Sequence, residues 1–401
     1  MADTGLRSAY RFGPFHLDVR ERRLSRGGEV IPLRLKVFDT LLLLVENAGR
    51  LVTKQELLDT LWPETTVEEN NLNHNVSVLR KALGERATGQ QYIETVPRVG
   101  YRFAAPVEGA PAQPRASAAA IAKARQEIRY CTTSDGVRLA YATTGNGPPL
   151  VKASNWLTHL DFEWGSPIWR HWYAALSLHH RLVRYDERGN GMSQREVPDV
   201  SFDTWVRDLE TVVDAARLDQ FPLLGISRGG PIAIAYAVKH PERVTQLVLY
   251  GAFAAGIKHT GTPQELEARR ALASLLRLGW GLNNPAFGKT FTCRFIPDAT
   301  PEHEQWFDEL QRVSTSPENA ARLMERDDDL DVRPLLSQVK TPTLVIHCDR
   351  DQAVPAERGR LLAAEIPGAR YVSLPSANHL MVEEEPAWTL LLEELGLFLN
   401  W

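Results

Sequence analysis

Cysteine is scarce and scattered. The 401-residue chain has three, Cys131, Cys293 and Cys348. They are odd in number and too far apart for a disulfide framework or a Cys-rich zinc site, as expected in a reducing compartment. Long apolar runs are also missing. The clearest, Leu41–Val45 and Ile232–Val238, fall well short of the about 20 residues a spanning helix needs. Met1 to Arg11 is polar, with no apolar stretch of signal-peptide type. These absences predict a cytoplasmic protein with no membrane partner. Neither sign of charge dominates: Lys and Arg number 46 against 50 Asp and Glu. That excludes a generally polybasic nucleic-acid binder, though not a local basic face. With 43% hydrophobic and 24% charged residues, the chain is neither disordered, collagen-like nor a coiled-coil rod. No cofactor and no metal is expected.

Composition shifts near residue 105. Ala104 to Ala120 is rich in Ala and Pro, with breaks at Pro106, Gly109, Pro111 and Pro114. It reads as a linker over 106–127, with a short helix expected near Ala118–Glu127. A domain over 8–105 precedes it and one over 128–401 follows.

The first domain opens with β-like pieces, Tyr10–Leu17 and Arg23–Ile31. Helical spacing then begins, with Val37, Leu41, Leu44 and Val45 on one stripe. Thr53-Lys54-Gln55-Glu56 predicts a capping box, and Pro63 ends the helix that it starts. A third helix is expected over about Glu68–Leu83, with Leu72, Val76, Leu79 and Leu83 inward. Tyr92–Thr95 and Gly100–Phe103 predict a hairpin turning at Pro97-Arg98. The order is that of a winged helix-turn-helix. Leu79-Arg80-Lys81-Ala82-Leu83 and Ile93-Glu94-Thr95-Val96-Pro97-Arg98-Val99-Gly100-Tyr101-Arg102-Phe103 closely resemble the C-terminal DNA-binding domain of the OmpR/PhoB response-regulator family, over about Tyr10 to Phe103. The sequence departs from the two-component members in offering no receiver-like segment ahead of it. It also departs from membrane-anchored relatives, which place a spanning helix after the wing.

Steps of 100° put Asn70, His74, Ser77 and Lys81 opposite the inward stripe, flanked by Asn73 and Arg80. Amides, a hydroxyl and cations suit base edges and phosphates of double-stranded DNA in the major groove. Arg98 at the wing suits the minor groove or a phosphate, and Lys54 suits the backbone. The competing reading is a solvated polar face. Residues 1–108 carry 15 Lys or Arg against 14 Asp or Glu. Phosphate neutralisation drives non-specific affinity, so a single module should bind weakly and a homodimer on paired half-sites is expected.

The second domain alternates short apolar strands with helices. Val137–Ala142, Pro149–Ala153, His180–Tyr185, Phe221–Gly225, Val244–Tyr250, Thr343–His347 and Arg370–Leu374 predict a mostly parallel α/β sheet. Gly225-Ile226-Ser227-Arg228-Gly229 joins an apolar strand to a small-residue helix. A tight turn there exposes the serine hydroxyl and aims the following amides at an oxyanion. A serine nucleophile needs a base, and the base needs an orienting acid. Asp351 and His379 follow in that order, each just past a strand, where open α/β sheets place ligands.

Tyr185-Asp186-Glu187-Arg188-Gly189-Asn190-Gly191-Met192-Ser193 and His240-Pro241-Glu242-Arg243-Val244 complete a resemblance to the α/β-hydrolase superfamily over about Arg129 to Trp401. It implies Ser227 as nucleophile, His379 as general base and Asp351 as its orienter. Asp349 is a rival acid; the resemblance favours Asp351, four residues before Pro355. The family's usual His-Gly after the third strand is replaced by Lys152-Ala153-Ser154-Asn155-Trp156. The amides of Arg228 and Trp156 are the candidate oxyanion donors. Ala252–Val339 resembles the family's inserted helical cap. Trp280, Phe287, Phe291 and Trp306 either line an apolar pocket or pack the cap, and Trp156, Trp164, Trp169 and Trp172 present the same choice. His159, His171, His179 and His180 read as packing or surface residues, and Cys348 as a small buried thiol.

The expected architecture is therefore multidomain: an α+β winged helix-turn-helix joined to a capped α/β-hydrolase fold. The expected function is a one-component transcriptional regulator that binds DNA, and that binds and hydrolyses a small apolar ester, lactone or amide. The alternatives are an esterase-like serine hydrolase that the DNA-binding half only localises or autoregulates, and a catalytically idle sensor or scaffold.

Overall fold

Alternating burial shapes the first strands. The structure, a computed structural model, describes residues 9–19, 21–61, 69–85, 91–96, 99–105, 107, 126–280 and 285–401. It divides into two units, Met1–Arg115 and Ala116–Trp401. In the first, β1 (Ala9–Phe12), β2 (Phe15–Asp18), β3 (Arg23–Arg26) and β4 (Glu29–Ile31) form an antiparallel meander. Then come α1 (Leu35–Glu46), β5 (Leu51–Thr53), α2 (Lys54–Leu61), α3 (Glu69–Ala82), β6 (Ile93–Val96) and β7 (Gly100–Phe103). The capping box forms as expected: the Thr53 amide donates to Glu56 Oε2 at 2.7 Å and the Glu56 amide to Thr53 Oγ1 at 3.2 Å. Strand β5 was not anticipated, being too short to show a period. It pairs with β7, giving a three-stranded sheet in the order β5-β7-β6. The core gathers Phe12, Phe15, Phe38, Leu41, Leu72, Val76, Leu79, Leu83 and Phe103.

The second unit is an eight-stranded sheet. Its elements are β8 (Glu127–Thr132), β9 (Arg138–Thr144), β10 (Pro149–Lys152), α4 (Leu160–Trp164), α5 (Arg170–His179), β11 (Arg181–Tyr185), α6 (Phe202–Ala215), β12 (Phe221–Ile226), α7 (Gly229–Lys239) and β13 (Val244–Tyr250). The inserted helices follow: α8 (Ile257–Thr260), α9 (Pro263–Gly279), α10 (Pro285–Phe295), α11 (Pro301–Ser314), α12 (Pro317–Asp329) and α13 (Arg333–Leu336). The chain closes with β14 (Thr343–Cys348), α14 (Ala356–Glu365), β15 (Arg370–Leu374) and α15 (Pro386–Leu399). The order is β15-β14-β13-β12-β10-β11-β9-β8, parallel except where β9 meets β11 and β8. Buried clusters cover both faces, which is why the central strands read as unbroken apolar runs.

The expected linker helix near Ala118–Glu127 lies outside the described residues up to 125. At its end the expectation is corrected: Glu127 opens strand β8, where cross-strand pairing from Glu127↔Thr143 to Thr132↔Arg138 outweighs local helical preference. No helix among the described residues is long and apolar enough to cross a membrane.

Candidate functional site

Strand β12 delivers Ser227 to its carboxyl end. There the backbone turns into the left-handed region, at φ +52°, a conformation that costs a non-glycine residue about 1–3 kcal/mol. The turn is held by the Ser227 amide donating to Tyr250 O and the Gly230 amide donating to Ser227 O, each at 2.9 Å. Close packing explains the motif's first glycine: a Cβ on Gly225 would lie 2.7 Å from Gly229 O.

Strands β14 and β15 deliver the partners. His379 Nδ1 donates to Asp351 Oδ2 at 2.6 Å, with both side chains buried. Asp351 Oδ1 accepts the amides of Ala353 and Val354 at 2.8 and 2.9 Å. Burial alone would raise the Asp351 pKa; the His379 charge and hydrogen bond, with the Val354 amide, outweigh it and lower the pKa. Asp349, half-exposed beside Arg350, takes no part. Donation from Nδ1 leaves Nε2 as the acceptor nitrogen. Nε2 is buried and makes no hydrogen bond among the described residues. It shares with Ser227 a space of about 20 Å³ walled by Trp156, Phe295 and Leu310.

Of the oxyanion candidates, Trp156 lines this space and Arg228 follows Ser227 in the chain. Neither the Trp156 nor the Arg228 amide donates to a backbone carbonyl among the described residues. Lys152 braces the loop that lacks His-Gly: its buried ammonium donates to Asn155 Oδ1 and lies 5.2 Å from the Trp169 ring centroid. Burial pushes its pKa down.

A larger cavity, about 230 Å³, opens from Ser227 beneath the inserted helices. Phe291 lines it, as does Trp156. Trp280 is a packing residue, donating Nε1 to Thr315 O at 3.1 Å, and Trp306 stacks on Phe162. The Phe287 side chain lies outside the described residues. Trp172 Nε1 donates to Met381 O at 3.0 Å, Trp169 stacks on Tyr173, and Trp164 lies under Arg184. The lining is mainly apolar, as expected, but Arg269, Arg294, Asp327 and Asp328 add charged groups to it. Of these, Asp328 is buried, Arg269 and Asp327 are half-buried, and Arg294 is exposed.

The histidines set aside as packing or surface residues have such roles. His159 caps α4, and His171 is buried against Met381 O with its pKa pushed down by burial to about 3. His179 stacks on Trp401, and His180 packs edge-on to the same ring. Cys348 is buried, its thiol pushed up to about 12 by burial.

In the first unit, α3 turns Leu72, Val76 and Leu79 inward and leaves Asn73, His74, Ser77 and Lys81 exposed. Asn73 Oδ1 accepts the Tyr101 hydroxyl at 2.6 Å, tying the helix to β7. Arg80 departs from the expected DNA face. Its Nη2 donates to Ile93 O at 2.8 Å and Thr95 Oγ1 at 2.7 Å, and Nε lies 3.4 Å from Glu85 Oε2. It braces the hairpin, because β6 packs close enough to satisfy the guanidinium. Lys54 starts α2 and is half-buried. The Asn70 side chain and Arg98 lie outside the described residues.

A family model of the α/β hydrolase fold matches residues 160–386, more than half the chain. The chain belongs to the α/β-hydrolase family. A model of the C-terminal domain of transcriptional regulatory proteins matches residues 28–103, so this α/β hydrolase carries an OmpR/PhoB-type domain. The AB hydrolase superfamily protein YisY of Bacillus subtilis (strain 168) is 29% identical over 64% of this chain and 94% of its own. Pyrrolizixenacetamide deacetylase of Xenorhabdus hominickii is 28% identical over 64% and 93%. The crystal structure of a hydrolase from Pseudomonas aeruginosa PA01 superposes with a TM-score of 0.58 at 27% identity, covering 69% of this chain and 99% of that one.

Sequence reasoning missed three groups around the site of this α/β hydrolase. Gly251, at φ +54°, is a wall for the imidazole: a Cβ there would lie 2.9 Å from His379 Cε1. His347 donates Nε2 to Val354 O at 2.8 Å and stands 3.5 Å from Asp351 Oδ2, kept neutral by burial. The Arg228 side chain is buried between Glu187 and Asp327, with the Trp205 ring centroid 4.5 Å away. One guanidinium cannot neutralise two buried carboxylates. Burial therefore raises both acids, Glu187 to about 7 and Asp327 to about 6. Only Glu187 carried a signal, as part of the Asp186-Glu187-Arg188 run.

Proposed function

We propose that the chain is a one-component transcriptional regulator: its winged helix binds double-stranded DNA, and its hydrolase unit cleaves a small ester, lactone or amide. The observation that carries the enzymatic part is the buried His379–Asp351 pair, with an open Nε2 sharing a space with Ser227 at positive φ. In this reading His379 Nε2 takes the Ser227 proton as Oγ attacks the substrate carbonyl. The amides of Arg228 and Trp156 receive the oxyanion, and His379 returns the proton to the leaving alcohol or amine. Water then cleaves the acyl-serine by the same route, regenerating Ser227 and releasing the acid. The deacetylase relative supports an acyl substrate. The three scattered cysteines fit a cytoplasmic setting.

The DNA-binding part rests on the family match over 28–103 and on the exposed His74, Ser77 and Lys81 of α3. Its nearly balanced charge favours a homodimer on two half-sites.

A second reading, a pocket that binds its ligand without turnover, draws on one observation: His379 Nε2 makes no hydrogen bond to Ser227. Such bonds often tighten only when substrate is bound. Fluorophosphonate labelling separates the readings. The hydrolase reading expects labelling of the native chain that is lost in both Ser227→Ala and His379→Ala. A folded chain that resists the probe, yet changes its DNA affinity with a small molecule, supports the sensor.

A further inference from the structure

Four arginines line the 230 Å³ cavity beside Ser227. Arg228 is taken by Glu187 and Asp327. Arg269 Nε lies 2.7 Å from Asp328 Oδ1. Glu265 accepts the Thr262 amide and hydroxyl at 2.7 and 3.0 Å. Arg294 and Arg358 remain, and among the described residues neither has a carboxylate within 4.0 Å.

Arg294 is the better placed of the two. It precedes Phe295, whose ring centroid lies 5.9 Å from that of Trp156 and 5.7 Å from that of His379, and whose carbonyl accepts the His379 amide at 2.8 Å. The guanidinium is thus carried on the residue adjoining the catalytic wall. Arg294 is exposed and lines the cavity, so its guanidinium is open to an arriving group. It stays charged, and an anion entering the cavity meets a cation that no carboxylate within 4.0 Å pairs among the described residues. Phe253, Ile257, Leu272 and Met324 supply apolar wall beside it, suited to a short methylene chain. At about 230 Å³ the space is below the range of about 300–1,000 Å³ usual for drug-sized ligands.

We infer that the cavity is an anion-terminated acyl site, in which Arg294, assisted by Arg358, binds a carboxylate at the far end of the acyl chain whose ester or lactone carbonyl is presented to Ser227. A planar carboxylate matches the guanidinium fork with two parallel hydrogen bonds. The substrate class becomes half-esters, or lactones, of short dicarboxylic acids. This inference rests on the hydrolase reading above.

The test uses the full chain and the monoethyl esters of succinate, glutarate and adipate, each beside the analogue in which a carboxamide replaces the free carboxylate. Ethanol release gives kcat/KM for each, and the readout is the acid-to-amide ratio, which a folding defect leaves unmoved. A hydrogen bond between charged groups predicts a ratio of about tenfold or more at one chain length. Arg294→Gln should abolish that preference and Arg294→Lys should keep part of it. A ratio at or below one at every length, or one that survives Arg294→Gln, overturns the inference. If no ester is cleaved in a Ser227-dependent way, the hydrolase reading fails and calorimetric titration of the same monoesters decides the site. Saturable binding weakened about tenfold by Arg294→Gln upholds it; no binding, or unchanged affinity, refutes it.

Discussion

In the C-terminal unit the candidate groups His379 and Asp351 are buried, and they come from distant parts of the chain to a single hydrogen bond. In the N-terminal unit the candidate groups His74, Ser77 and Lys81 are exposed and lie along one helix. The first arrangement depends on tertiary packing to fix proton positions and exclude water, as acid–base chemistry requires. The second depends only on helical periodicity and on an inward stripe that keeps the other face outward. Chemistry on a reacting bond is thus stored in geometry and burial, whereas recognition of a polyanion is stored in a surface.

That contrast is sharpest where variants separate the units. Ser227→Ala should lower ester turnover by roughly 10⁴–10⁶-fold and leave operator affinity unchanged, read by steady-state hydrolysis and by gel shift on the same preparation. A comparable loss of DNA binding would break the separation. Gly251→Ala should be the next largest. Its Cβ would press on His379 Cε1 at 2.9 Å, and a displaced catalytic group of this kind costs about 100-fold. The expected signature is a fall in kcat with little change in KM.

Replacing His74 and Lys81 together by Ala should weaken operator binding about tenfold to a hundredfold and flatten its salt dependence, because one phosphate-neutralising cation is lost. Unchanged affinity would remove α3 from the interface. Arg80→Ala should do the reverse of Lys81→Ala. It should cost the N-terminal unit about 1–2 kcal/mol of stability through the bonds to Ile93 and Thr95, while Lys81→Ala stays within about 0.5 kcal/mol. Thermal unfolding of each variant checks this.

The smallest expected effect is on pH. Glu187, near 7, and Asp327, near 6, sit above their ordinary values of 4.5 and 3.8. The fold therefore keeps protons that the unfolded chain releases, so their contribution is complete at low pH and is lost as pH rises through 6 to 7. Asp351, lowered, acts only toward acid. Buried His171 and His347, both lowered from 6.5, oppose this trend below about pH 6.5, so the melting temperature should fall from about pH 6.5 to about pH 8. Tryptophan fluorescence follows this unit, because nine of the ten tryptophans lie between Trp156 and Trp401.

How much was legible in advance differs by region for a physical reason. The core stripe of α3, the capping box at Thr53 and the seven central strands follow from periods of 3.6 and 2 and from uninterrupted apolar runs, all local signals. The three-residue β5 and the edge strand β8 had none, because pairing with a distant strand decided them. Ser227 was legible from its glycines, and His379 and Asp351 from their order after strands. The fate of Arg80 and the charged part of the cavity lining were not. Each depends on which side chain arrives within hydrogen-bond distance.

The sequence by itself determined the two-part architecture, the inward faces and the candidates for the reactive groups, because periodicity and turn chemistry are written residue by residue. Tertiary structure alone decided that Asp351 and His379 meet at 2.6 Å, that a Cβ on Gly251 would press on the imidazole, and that Arg294 lines the cavity beside Ser227. Those facts are distances between residues remote in the chain, and distances of a few ångströms are set by packing rather than by order.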